Sequence, residues 1–179
     1  MGEQEFIASL LDPKTQNAAF QKLLSEYQRP LYSHIRNIVL NHDDADDVLQ
    51  NTFVKVFQHL KNFKGESKLF SWMYRIATNE AITFINKKAK QNGITSEALQ
   101  TKIVENLKAD AYFDGNEIQL KLQKAIAFLP QKQQLVFKMR YYEEIKYEAM
   151  SEILGTSVGA LKASYHHAVK KIENYMTSN

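Results

Sequence analysis

The sequence predicts an all-α chain: two small helical domains joined by a flexible acidic linker, the second containing a helix-turn-helix. Three observations predict it. First, the 179 residues hold only six Gly and three Pro, about 5% where average usage gives roughly 12%. A sandwich or barrel needs a turn every eight to twelve residues or so and would require more breakers. Second, apolar residues recur at three- and four-residue spacing on either side of a weakly periodic stretch. Third, the charge is partitioned. Residues 1–90 carry twelve basic and ten acidic side chains, residues 91–118 two and five, and residues 119–179 nine and five. Two basic lobes flank an acidic connector. The expected boundaries are 1–90, 91–117 and 118–179.

Taken in order, Asp12-Pro13 reads as an N-cap followed by Pro at the first helical position, where its missing N–H costs nothing. Residues 15–40 place Phe20, Leu23, Leu24, Tyr27, Leu31, Ile35 and Ile38 at helical spacing, with a kink or break expected at Pro30. Asp43, Asp44, Asp46 and Asp47 suit the positive start of the next helix. That helix shows a two-residue-wide stripe from Val48 and Leu49 through Phe53 to Val56, Phe57 and Leu60. Residues 61–68, containing Gly65, read as a loop. Periodicity resumes from Leu69 through Trp72, Met73, Ile76 and Ala77 to Phe84 and Ile85. Gly93 and Gly115 bracket the connector, with some helix expected around residues 97–107. Its length favours two domains over one. Beyond it, helices are expected over residues 118–129, ending at Pro130, and over 131–142.

The stretch YEAMSEILGTSVGALK, residues 147–162, has helix-turn-helix spacing. Met150, Ile153 and Leu154 face inward, and Ser151 is small enough for two helices to cross. Gly155 suits the left-handed turn and Ser157 the N-cap of the second helix. Leu161, Tyr165, Ala168 and Ile172 line that helix's buried side. Its other side presents Lys162, Ala163, His166, His167, Lys170 and Lys171 with no acid before Glu173, a surface suited to a major groove and its phosphates. An ordinary two-helix corner with a solvated basic face is the plainer alternative; cap, turn and acid-free face together favour DNA. Gly159, in the first turn, costs up to ~1 kcal/mol relative to Ala and is read as a point of close backbone approach to DNA. His166 and His167 diverge by about 100° on a helix and cannot share one metal ion. His34, His42 and His59 read as isolated surface or core residues.

In the first lobe, residues 41–53 hold four Asp and no Lys or Arg, whereas residues 54–90 hold eight basic against two acidic side chains. Aromatics interleave the basic part, as suits single-stranded nucleic acid. Trp72 and Phe84 read as core, and Phe63, in the Gly-containing loop, as the functional aromatic. The absence of Cys excludes disulfides, thiolate zinc sites and thiol chemistry. The first five residues lack a basic stretch, and no apolar run nears the ~18 residues of a membrane span. With a mean hydropathy of −0.42, a cytoplasmic protein without membrane insertion is expected.

These residues carry a family resemblance. DADDVLQNTFVKVF (44–57), FKGES (63–67) and SWMYRIATN (71–79) resemble the promoter-melting domain of bacterial sigma factors of the small extracytoplasmic-function (ECF) group. Leu129-Pro130, Val136-Phe137, Arg140-Tyr141-Tyr142 and the helix-turn-helix resemble that group's second DNA-binding domain. The resemblance implies core RNA polymerase as a partner, contacted by Asp44, Asp47, Gln50 and Asn51, where carboxylates steer towards a basic surface. It implies capture of a flipped minus-ten base by Phe63, Lys64, Gly65, Glu66 and Ser67, with Asn79 on the next helix. It implies reading of a minus-thirty-five element by the second lobe through Ser157, Lys162, Ala163, His166, His167 and Lys170. Promoter DNA and an anti-sigma factor are the other implied partners. Family members commonly carry Arg where Ser164 and His167 stand, and Ala where Ser151 stands, so no promoter sequence follows. No paired acid and base, phosphate-cradling loop or metal set is present in the sequence, and neither catalysis nor a cofactor is expected. The alternative is a stand-alone helix-turn-helix regulator binding duplex DNA as a dimer, which would leave the first lobe idle.

Overall fold

The computed structural model describes residues 1–178, and among them every regular element is helical. The first lobe comprises α1 (Glu3–Leu11), α2 (Gln16–Val39), α3 (His42–His59) and α4 (Leu69–Gln91). Helix α5 (Ser96–Glu105) lies in the connector, and α6 (Glu117–Ala127), α7 (Gln131–Tyr141), α8 (Tyr147–Leu154) and α9 (Val158–Thr177) form the second lobe.

Local chemistry sets most of the boundaries. Leu40 closes α2 in the left-handed conformation, at φ 66°. Asn41 then caps α3 by accepting the Asp44 N–H at 3.0 Å. Asn116 and Gln119 form a reciprocal capping box at the start of α6. Gly155 ends α8 at φ 66°, and Ser157 accepts the Ala160 N–H at 3.2 Å to start α9.

Three expectations need correction. Asp12 and Pro13 do not open a helix: Asp12 is the C-cap of α1, and the next helix begins after Thr15. Asp12 does cap locally, accepting the Lys14 N–H through its side chain at 2.9 Å, so turn chemistry had the appearance of helix-start chemistry. Helix α2 runs unbroken through Pro30, which sits on its exposed side. There the carbonyl of Glu26, deprived of an amide partner, can turn to water.

The third correction concerns the connector, which is no bare tether. Thr95 caps α5, whose Leu99, Gln100 and Val104 are buried. Beyond it, Arg36 of α2 donates to the Asp110 carboxylate at 3.1 Å, and the Tyr112 ring stacks on His42 at 3.8 Å. Asp110 and Tyr112 thus tie the segment to a basic and an aromatic group of lobe one.

The two lobes share one apolar core. Ile35 of α2, Val48 of α3, and Tyr74 and Ala77 of α4 lie in the same buried cluster as Val136 and Met139 of α7, Met150 and Ile153 of α8, and Leu161 of α9. A second cluster, around Leu10, Leu23, Val56, Leu60 and Met73, belongs to lobe one. A third, around Ile126, Phe137, Ala168 and Ile172, holds α6, α7 and α9 together.

Candidate nucleic-acid interface

The loop before α4 is built by a 3₁₀ turn over residues 60–62, followed by Gly65 at φ 72°. That left-handed residue bends the chain back so that the Phe63 ring tucks under the start of α4, 4.9 Å from Trp72. Phe63, Lys64, Glu66, Ser67, Trp72 and Arg75 line a cavity of about 580 Å³, with Asn62 and Ser71 completing its lobe-one wall. The burial of the two aromatics is the reverse of the expectation. Phe63 is only 9% exposed and belongs to the core, whereas Trp72 is half-buried and faces the cavity. Lys64, Gly65, Glu66 and Arg75 are exposed around the rim. Asn79 is exposed on α4 but lies outside the cavity lining.

The remaining wall comes from the other lobe, where Ser151 and Glu152 of α8 and its C-cap Gly155 line the cavity. The Lys68 N–H, at the unsatisfied start of α4, faces the Glu152 carboxylate at 3.4 Å. Ser71, on the α4 wall, is 1% exposed, and its hydroxyl is the one buried side-chain polar atom without a partner among the described residues.

Helix α9 presents Lys162, Ala163, His166, His167 and Lys170 on one exposed face, while Leu161, Ala168 and Ile172 are buried on the other. Ser157 is committed to its cap. Lys162 and Arg140 lie on the Tyr147 ring, at 5.7 and 5.1 Å from its centroid, which holds the base of this face in place.

Elsewhere on lobe one, Asp47, Gln50 and Asn51 are exposed beside Phe84, Lys87 and Lys88. Asp44 differs from them, since its carboxylate takes the Lys88 ammonium at 2.5 Å. It braces α3 against α4. Val54 and Phe57 continue the row of Gln50 and Asn51 at 54% and 45% exposure. Sequence reading had counted Phe57 with the core; its spacing from Val54, Gln50 and Asp47 was the available signal for an exposed row.

Burial shifts several groups. Loss of solvent pushes the Tyr142 hydroxyl up to about 12 and raises that of Tyr74, on which the Glu143 carboxylate also acts. Burial pulls the Lys138 ammonium down to about 8, against the opposing pull of Glu143. Among the described residues no cluster of three metal-ligating side chains exists, and no helix is long and apolar enough to cross a membrane.

A helical lobe with an aromatic cavity, followed by a helix-turn-helix lobe with an acid-free outer face, defines a DNA-handling protein. Family comparisons make this specific. Residues 23–91 match the model for Sigma-70 region 2, and residues 119–172 match that for Sigma-70, region 4. The chain belongs to the sigma-70 factors, in the extracytoplasmic-function group. It is 28% identical over 164 residues to an ECF RNA polymerase sigma-E factor of Haemophilus influenzae, covering 87% of this chain and 86% of that one. Its fold is similar to that of CnrH in complex with the cytosolic domain of CnrY, with a TM-score of 0.69 and 16% identity over 99% of this chain and 98% of that one. It is also similar to the sigma factor RpoE of Bartonella quintana bound to the anti-sigma factor NepR, with a TM-score of 0.66 and 19% identity over 89% and 98% of the respective chains.

Proposed function

We propose that the chain binds core RNA polymerase and directs promoter-specific initiation, contributing strand capture and element recognition while the polymerase performs the synthesis. The observation that carries this reading is the cavity under the Phe63–Ser67 loop. It sets an aromatic platform, Trp72, among the basic rim residues Lys64 and Arg75. Such a site suits a base leaving its stack, because the ring replaces stacking while the cations meet the flanking phosphates. The minus-ten role is therefore assigned to Phe63, Lys64, Gly65, Glu66 and Ser67, with Asn79 further along α4. The exposed face of α9 is assigned to the minus-thirty-five element through Lys162, Ala163, His166, His167 and Lys170, with Ser157 setting the angle of entry.

The row of Asp47, Gln50 and Asn51, extended by Val54 and Phe57, is the proposed polymerase contact. Asp44 supports it from behind through Lys88. The acting compartment is the cytoplasm, and an anti-sigma protein is a further partner. The chain itself performs no catalysis and needs no cofactor. Co-elution with core polymerase on a sizing column tests the contact: the native chain forms a complex, and Asp47→Lys together with Gln50→Ala weakens it at least tenfold. Retention of full affinity by that variant would remove the α3 row from the interface.

A further inference from the structure

Helix α1 lies before the residues that match region 2, and it carries none of the residues assigned to DNA or to the polymerase. It packs by one face. Leu10 is buried, and Phe6 and Ile7 are half-buried, against a cluster that also holds Leu60 of the 3₁₀ turn, Phe63 of the loop, and Leu69 and Met73 of α4. The Thr15 hydroxyl donates to the Ser9 carbonyl at 2.7 Å, and the Lys22 ammonium lies 5.4 Å from the centroid of the Phe6 ring. These contacts fix the corner between α1 and α2.

The first turn of α1 is thereby brought to the first turn of α4. There a Glu3 carboxylate oxygen accepts the Leu69 N–H at 3.2 Å, across 66 residues of sequence. Helix α4 does not supply this contact itself. Its N-cap, Lys68, makes no side-chain cap, and its first turn has no acid. The amides that open the helix must therefore find partners outside it, and a carboxylate also complements the positive helix end. Glu152, which faces the Lys68 N–H, comes from the second lobe, whereas Glu3 belongs to the lobe that holds the cavity floor. The Glu3 charge also acts on Tyr27 of α2, whose hydroxyl is raised first by burial and then by the Glu26 and Glu3 carboxylates. The capped turn bears directly on the cavity. Lys68 and Leu69 end the Phe63–Ser67 loop, Ser71 and Trp72 line the cavity, and Arg75 follows one turn on. One contact thus sets both the exit of the loop and the footing of the aromatic platform.

We propose that Glu3 is a positioning residue for strand capture: from α1, its carboxylate caps α4 and fixes the turn that holds Trp72 and Arg75. The role rests on the reading of the cavity as the strand site; the cap does not. Glu3 touches no DNA in this account and acts through α4. Because it is exposed, its loss should leave the core and the α3 contact row intact and act on the first turn of α4 alone.

The test uses the full-length chain, free and bound to core polymerase. In the free chain, hydrogen exchange at the Leu69 amide, followed by NMR, reads the cap. In the complex, a genomic fragment on which the native chain initiates is offered as duplex and with its start region pre-melted. Glu3→Ala should speed Leu69 exchange and slow duplex opening by about fivefold each, the loss of one cap of ordinary strength. Complex formation and use of the pre-melted template should stay near native. Glu3→Gln keeps an accepting oxygen and should restore most of both losses. Glu5→Ala removes the same charge from the same turn of α1 and should change neither. Unchanged exchange in Glu3→Ala, no recovery in Glu3→Gln, or the same effects from Glu5→Ala would overturn the cap. Faster exchange with native opening would overturn the positioning role, as would equal loss on both templates, the mark of general destabilisation. If the native chain with core opens no fragment, the strand-site reading is refuted, the role falls with it, and the cap stands on its exchange result.

Discussion

Lys138 and Phe63 each combine a structural task with a position next to function, and each makes a measurable prediction. Lys138 is buried between the lobes, with its folded-state pKa near 8 against an ordinary 10.5. Between those values the unfolded chain binds more protons than the folded one, so stability rises with pH across that window. The gain is on the order of 3 kcal/mol over the full window, and it is absent once pH falls below the folded value. Urea unfolding at a series of pH values should show this slope in the native chain and lose it in Lys138→Met. Equal slopes in both would mean that the ammonium is solvated. Phe63→Ala removes a core ring and should cost roughly 3 kcal/mol by cavity formation. Any melting defect in that variant is therefore entangled with folding. Lys64→Ala and Ser67→Ala, on the cavity rim, avoid this problem. They should impair opening of duplex promoter more than use of a pre-melted bubble. Equal loss on both templates would count against a melting role.

At the scale of elements, the helix-turn-helix gives the clearest case. Gly155 needs its left-handed φ of 66°, whereas Gly159 lies within α9 with open space around the position of a Cβ. Gly159→Ala should therefore raise the stability of the free chain by up to ~1 kcal/mol. If the backbone approaches DNA at this point, the same change should weaken duplex binding. A thermal melt and a binding titration on one sample separate the two effects, and unchanged binding would leave Gly159 without a functional reason.

This lobe was almost fully legible in the sequence, because caps, turn glycine and the 3.6-residue period all act within a few residues of one another. The helices α2, α3 and α4 were legible for the same reason. Helix α1 was not: Gly2 offers no capping side chain, and the Asp12-Pro13 pair has the chemistry of a helix start while serving a turn. The burial of Phe63 and the cavity-facing position of Trp72 were not legible, because a 3₁₀ turn and a left-handed Gly rotate the loop, and apolar spacing does not encode that rotation. The His34–Glu143 contact between the lobes was invisible, since the two residues are 109 apart in sequence and a lone His on an apolar face reads as core.

For the whole molecule, the two lobes form a continuous core in which the connector is also docked, through Arg36–Asp110 and the His42–Tyr112 stack. The two DNA-directed surfaces belong to different lobes. The outer face of α9 is open to solvent, and the cavity under the Phe63–Ser67 loop is lined on one side by α8. A chain arranged this way should bind promoter DNA weakly alone and acquire strand capture with the polymerase. Transcription of genomic fragments by core polymerase, with and without the chain, tests that claim most directly. Sigma activity predicts new, chain-dependent start sites that share upstream elements at a fixed spacing. An unchanged set of transcripts, from a chain that also forms no complex with core, would contradict it.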